Sequence, residues 1–114
     1  MLTREIAIRK VESFVNELLS NGIKLDRALL FGSFAKNTQS ESSDIDVALV
    51  SDMFTGFGFE DRKHFSRINI KKEYIDIETK TYSKKYFEMG DPFIEEIKKT
   101  GIEIYNRTSN LSDS

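Results

Sequence analysis

An α/β or α+β domain is the fold that this sequence predicts, and three observations predict it. Three or four short apolar stretches read as strands, helix-period segments separate them, and neither a repeat nor an internal linker breaks the alternation. The chain has 114 residues, one domain's worth, since domains commonly run ~100–150 residues.

The elements follow in order. Residues 3–21 form an amphipathic helix: Ala7, Val11, Phe14, Val15, Leu18 and Leu19 recur at spacings of three and four, and Arg9, Lys10, Glu12, Asn16 and Glu17 fill the opposite face. Thr3 is its N-cap, and Gly22 takes the left-handed position past its end. Arg27–Phe31 is a short buried strand that runs into Gly32 and Ser33. Residues 37–43 are polar and turn-rich. Asp44–Val50, bounded by serines, is the second strand. Ser51–Phe59 holds two glycines and three phenylalanines without a period; it reads as a loop of the kind that covers a site.

Glu60–Lys71 predicts a helix with a thin apolar stripe, Phe65 and Ile68. Glu73–Tyr82 predicts a period-2 strand, with Ile75, Ile77 and Thr79 on one side and Tyr74, Asp76, Glu78 and Lys80 on the other. Ser83 opens a short helix through Met89. Asp91 and Pro92 open another as N-cap and first helical residue, ending near Thr100 before Gly101. Ile102–Tyr105 is the last strand. A single domain over 1–106 and a flexible tail over 107–114 complete the expectation.

Composition narrows the function classes. At 39% apolar and 32% charged, the chain is neither a membrane protein nor a disordered tail. With no cysteine, disulfides, thiolate metal sites and a thiol nucleophile are excluded, and one histidine excludes a zinc site of several histidines. A net charge of −2 argues against a strongly basic module and against direct DNA binding. No apolar run nears the ~20 residues of a membrane span, and no signal-peptide core follows Met1. The expectation is a cytoplasmic protein with no membrane partner.

The residues that carry chemistry lie between the first two strands. Gly32 and Ser33 sit where a strand ends and a short helix can begin; glycine permits close backbone approach to a ligand, and amides at such a corner bind phosphate. Asp44 and Asp46 are two apart on a strand, so both point to one face, while Ile45, Val47 and Leu49 point into the core. Two carboxylates side by side repel, and a hard cation such as Mg²⁺, held by carboxylates and substrate phosphates, offsets that repulsion. A third acid from the Glu73–Tyr82 strand, Asp76 or Glu78, is placed to complete a metal-binding triad or to act as general base.

Gly32-Ser33, ten residues, then Asp44-x-Asp46 resembles the signature of the DNA polymerase β-like nucleotidyltransferase superfamily. The short chain and the run Phe31-Gly32-Ser33-Phe34-Ala35-Lys36 resemble its minimal nucleotidyltransferase branch, which includes antitoxins paired with HEPN-domain toxins. The ending, Asp91-Pro92-Phe93 through Gly101-Ile102-Glu103-Ile104-Tyr105, is similar too. The resemblance spans residues 3–106. It implies the nucleotidyltransferase fold, a small mixed sheet of about four strands packed with helices. It also implies a function: transfer of a nucleoside monophosphate, AMP from ATP, to a hydroxyl with release of pyrophosphate.

In that scheme Asp44 and Asp46 hold two Mg²⁺ ions around the triphosphate, with Asp76 or Glu78 as the third carboxylate. Gly32, Ser33 and Lys36 bind the nucleotide, ATP or another triphosphate. The acceptor is a tyrosine of a partner HEPN toxin. The alternative is a catalytically weak antitoxin that neutralises a HEPN toxin by binding. Below it stands a small-molecule, aminoglycoside-like nucleotidyltransferase, which ordinarily carries an extra helical domain for its acceptor. Asn37 stands where many members carry glycine; asparagine is the next most tolerant residue of a left-handed turn, so the geometry is expected to survive.

Each candidate has a plainer structural reading. Asp44 and Asp46 also fit a solvated strand end, and Asp76 and Glu78 a solvent-facing strand. Lys36 and Lys80 suit triphosphate neutralisation or plain surface exposure, and the plainer reading is favoured for each, as it is for His64 as a surface residue. Phe54, Phe57 and Phe59 suit base stacking or core packing equally.

Overall fold

The computed structural model describes residues 2–108. Helix α1 (Arg4–Ser20) begins where Thr3 caps it, its hydroxyl accepting from the Ile6 amide at 3.2 Å. It ends in a paired cap, Ile23 N–H to Leu18 C=O at 3.0 Å and Gly22 N–H to Leu19 C=O at 3.1 Å, closed by Gly22 at φ +85°. Strand β1 (Arg27–Phe31) follows, then a four-residue helix α2 (Ser33–Lys36), then β2 (Ile45–Val50). Two short helices, α3 (Gly58–Arg62) and α4 (Ser66–Asn69), and a 3₁₀ turn (Lys72–Tyr74) lead to β3 (Ile77–Tyr82). Helices α5 (Lys84–Met89) and α6 (Pro92–Thr100), capped by Ser83 and Asp91, precede β4 (Ile102–Asn106).

The strands form one mixed sheet in the order β3-β2-β1-β4, with β1 antiparallel to β2 and β4, and β2 parallel to β3. Helices cover both faces. On one, Val11, Phe14, Val15 and Leu18 of α1 pack with Ala28, Leu30, Val47 and Leu49. On the other, Phe87, Ile94 and Ile97 of α5 and α6 pack with Leu29, Ala48, Val50 and Tyr82. That double cover explains why β2 reads as a nearly continuous apolar run. Among the described residues no helix is long and apolar enough to cross a membrane.

Two expected elements differ. The helix over Glu60–Lys71 is two short ones, because Asp61 turns inward and Phe65, at φ −139°, breaks the helical path. The strand over Glu73–Tyr82 begins only at Ile77. Tyr74 is buried, its hydroxyl 2.7 Å from Ser13 Oγ, and Asn69 Nδ2 donates to both the Tyr74 and the Ile77 carbonyl, so the backbone turns there. Tyr74 and Ile75 thus exchange their expected faces: Tyr74 is 4% exposed and Ile75 68%. Strand β2 starts one residue later than expected, leaving Asp44 just outside it. The loop after β2 splits its aromatics: Phe54 is buried against Phe65, whereas Phe57 and Phe59 are exposed. Of the expected tail, residues 109–114 lie outside the described residues.

Candidate active site

The sheet register assembles the site. Phe31, the last residue of β1, is opposite Asp46, and Asp46 is opposite Glu78 on β3. Adjacent strands lie ~4.8 Å apart, so three strands bring the Gly32 corner, Asp46 and Glu78 side by side. Asp46 shares its face with Ala48 and Val50 by the period of two, and is half-buried where they are buried.

Gly32 adopts φ +76°, open to glycine and strained for other residues. A side-chain carbon added there would collide with Oδ2 of Asp46, so the carboxylate presses directly on the corner. Ser33, half-buried, starts α2. Asn37 closes that helix at φ 59°, ψ 38°, and the Thr38 amide donates to the Ser33 carbonyl at 2.8 Å. The left-handed turn expected of Asn37 is therefore present.

The charges here are unbalanced. Burial, then the negative charges of Glu78 and Asp44, pushes the Asp46 carboxyl above the ordinary carboxylate value. Among the described residues, Asp44, Asp46 and Glu78 accept no side-chain hydrogen bond and enter no ion pair. Oxygen donors under mutual repulsion, beside a glycine corner with no side chain in the way, fit a hard divalent cation shared with phosphate. No three acidic or histidine side chains among the described residues converge into a ready-made cage.

Asp76 does not join this group. It was expected to share a face with Glu78, but it precedes the strand and turns to α1, where Lys10 Nζ donates to both its oxygens at 3.1 and 3.2 Å. It still borders a hollow of about 470 Å³ that Asp44 also lines, beside Ser40–Ser43 and Phe34. Lys36, at the end of α2, is paired with Glu96 of α6 at 3.2 Å, both about half-exposed. Lys80, two residues beyond Glu78, lies over the rings of Phe93 and Tyr82 at 5.3 and 5.9 Å. His64 is exposed, its ring 6.4 Å from Phe54.

Sequence reasoning missed Asp61, 1% exposed. Its carboxylate accepts from the Thr55 amide and hydroxyl at 2.8 and 3.0 Å, from the Gly56 amide at 2.9 Å and from the Thr81 hydroxyl at 2.7 Å. It thereby fastens the loop after β2 to β3. Nothing in its neighbourhood, Phe59-Glu60-Asp61-Arg62, separates it from an ordinary surface acid: Thr55 and Gly56 read as loop residues, and Thr81 lies twenty residues on.

The family model described as polymerase β, nucleotidyltransferase, matches residues 14–110. A "putative protein adenylyltransferase" of Methanocaldococcus jannaschii is 28% identical over 107 residues, covering 85% of this chain and 94% of that protein. The crystal structure of a "putative nucleotidyltransferase" from Sulfolobus solfataricus superposes with a TM-score of 0.68 at 18% identity, over 92% of this chain and 85% of the other. A toxin–antitoxin crystal structure with AMP-PNP superposes with a TM-score of 0.59 at 19% identity, over 87% of this chain and 76% of the other. These two likenesses bear on the fold. The chain belongs to the polymerase β nucleotidyltransferase family and is a nucleotidyltransferase.

Proposed function

We propose that this nucleotidyltransferase transfers AMP from ATP, with Mg²⁺, to a hydroxyl of a partner protein, a tyrosine of a HEPN-type toxin, and so acts as an antitoxin by modifying its partner. The relative named a protein adenylyltransferase supports a protein acceptor. The structural neighbour described as a toxin–antitoxin with AMP-PNP supports the setting and an adenine nucleotide. The observation that carries the chemistry is the contact of Asp46 with the Gly32 corner, with Asp44 and Glu78 adding uncompensated negative charge.

In this reading the Gly32–Ser33 corner holds the β- and γ-phosphates. Asp44 and Asp46 would hold two Mg²⁺ ions, which would supply positive charge to offset that of the triphosphate. Glu78 is the third carboxylate and takes the proton from the acceptor hydroxyl. The hydroxyl oxygen forms a bond to the α-phosphorus, the bond from that phosphorus to the α,β-bridging oxygen breaks, and pyrophosphate leaves. Asp76, occupied by Lys10, is set aside from the role. Lys36 reaches a phosphate only by releasing Glu96, which costs little for an exposed pair.

A second reading, an antitoxin that neutralises by binding with a weak or silent site, is favoured by the lack of a convergent acidic cage among the described residues. The test incubates the protein with ATP labelled at the α-phosphate, Mg²⁺ and the product of the adjacent gene. Label on that product, lost with Asp44→Ala/Asp46→Ala, is the expected result. Toxin neutralisation that survives the double substitution, with no label transferred, overturns the enzymatic reading in favour of the second.

A further inference from the structure

A hollow of about 680 Å³ borders β3, the terminal strand of the sheet, and none of Asp44, Asp46 and Glu78 lines it. We propose that it is a docking groove for an extended, acidic segment of the acceptor protein, which adds to the sheet at Thr79 and Thr81. This deepens the proposed transfer to a protein hydroxyl, and rests on that reading for the identity of the segment's owner.

β3 is terminal in the sheet. Its ladder to β2 is bracketed by Ile45 N–H to Asp76 C=O and Ser51 N–H to Tyr82 C=O. In a parallel pair with that phase, residues 76, 78, 80 and 82 turn their backbone groups toward β2, and 77, 79 and 81 turn theirs outward. The Ile77 carbonyl is taken by Asn69. That leaves the outward N–H and C=O of Thr79 and Thr81, residues 8% and 3% exposed at the floor of the hollow, without a partner among the described residues, and unpaired edge groups are templates for another strand. Both residues line the hollow.

The lining chemistry selects the occupant. Arg62 lies against Gly58, where any side chain would strike its guanidinium, and Lys80 lies over the rings of Phe93 and Tyr82. Among the described residues neither cation has an ion-pair partner. The one carboxylate in the wall, Asp91, is committed: it accepts from the Tyr86 hydroxyl at 2.6 Å and caps α6 through the Ile94 amide at 2.7 Å. Exposed rings of Phe57 and Phe93 flank the groove with apolar surface.

A second observation is independent of charge. The hydroxyls of Thr79 and Tyr82, on residues 8% and 5% exposed, have no hydrogen-bond partner among the described residues. Buried polar groups are rarely left so, and Thr79 belongs to the edge that an added strand would cover. The position also suits the chemistry: Lys80 and Glu78 are two apart on one face, so a segment pinned at Thr79–Thr81 passes Glu78 within a step or two of ~3.3 Å.

The probe is an acetylated, amidated octapeptide of alternating Val and Glu, with its Val-Lys counterpart, ATP and oligouridylate as controls, and with amide exchange followed by NMR. The Val-Glu peptide is expected to slow exchange at the Thr79 and Thr81 amides at least tenfold and to bind at least tenfold more tightly than Val-Lys. Arg62→Glu is expected to weaken it tenfold. Thr79→Pro deletes an outward donor the sheet does not use, and is expected to do the same. Asp44→Ala/Asp46→Ala is expected to leave peptide binding unchanged. Peptide binding, together with no label on the product of the adjacent gene, therefore sinks the enzymatic reading and keeps the groove. Equal binding of the Val-Lys peptide, protection elsewhere than at Thr79 and Thr81, or protection there by ATP or oligouridylate alone overturns the groove. If Thr79→Pro does not fold, the wild-type protection pattern and Arg62→Glu decide.

Discussion

Asp46 and Asp61 are both drawn out of water, and the protein treats them in opposite ways. Burial raises both carboxyls. At Asp61 the hydrogen bonds from the Thr55 amide, the Thr81 hydroxyl, the Gly56 amide and the Thr55 hydroxyl outweigh burial and hold it below the ordinary value. At Asp46 no donor among the described residues offsets burial, and Glu78 and Asp44 push further in the same direction. A carboxylate that holds the fold together is surrounded by its donors. One left without donors, beside two like charges, carries a local cost, and such costs concentrate where a ligand relieves them. Burial alone therefore does not separate a structural acid from a functional one; the donor inventory does.

The largest expected effect tests the functional side. Asp44→Ala/Asp46→Ala is expected to lower AMP transfer about a thousandfold, the scale of losing charge stabilisation at a reacting phosphate. The melting temperature should hold or rise, because repulsion is removed. A fall of several degrees would mean that these acids support the fold. Asp61→Asn is the converse. It trades charge-assisted bonds for an amide that presents a donor to other donors, and is expected to cost about 3 kcal/mol. In a domain of this size that lowers the melting temperature by more than about 10 °C. A neutral result would dissolve the contrast.

Three smaller substitutions sharpen the site's boundary. Glu78→Gln is expected to lower the transfer rate about 100-fold, the scale of a general base, while Asp76→Asn, losing only its pair with Lys10, should stay within about threefold. The reverse ranking would return the third-carboxylate role to Asp76. Gly32→Ala drives a methyl into the Asp46 carboxylate at a positive φ, and is expected to cost about 1–2 kcal/mol. A thermal melt reads that cost, and nucleotide titration reads the weakened binding that should accompany it.

Much of this architecture was legible because local signals agreed with tertiary ones. Arg27–Phe31 is both β-prone and buried, and its bounds match the structure. Thr3 and Asp91 cap the helices they were expected to cap, and Ser83 caps the helix it was expected to open. The convergence of Gly32 with Asp46 followed from a strand–turn–strand spacing. What stayed hidden depended on partners distant in the chain. The alternation of residues 74–80 suggested one long strand, but Tyr74 reaches Ser13 and Glu17 on α1, and Asp76 reaches Lys10. Those contacts bend the first residues away and take Asp76 with them. The role of Asp61 depends on Thr81, twenty residues on, and the groove beyond β3 on which strand ends at the sheet's edge.

The contrast between the two acids also has a pH signature, the smallest of the effects. A carboxyl held below its ordinary value is more easily ionised in the folded chain, so the folded state binds fewer protons than the unfolded one near and below that value. The stabilisation from Asp61 is therefore complete above the ordinary carboxylate range of about 4. It fades as pH falls through the lowered folded-state value. Wild type and Asp61→Asn should accordingly differ most from neutral pH down to about 5, and their melting curves should approach each other as acid protonates Asp61. Glu17, held low chiefly by its hydrogen bond to Lys71, and Asp91, held low chiefly by the Tyr86 hydroxyl, are common to both chains and cancel in the difference. A gap between the two melting curves that stays constant to pH 2 would mean that the Asp61 charge contributes nothing, and that the loop is held to β3 by shape alone.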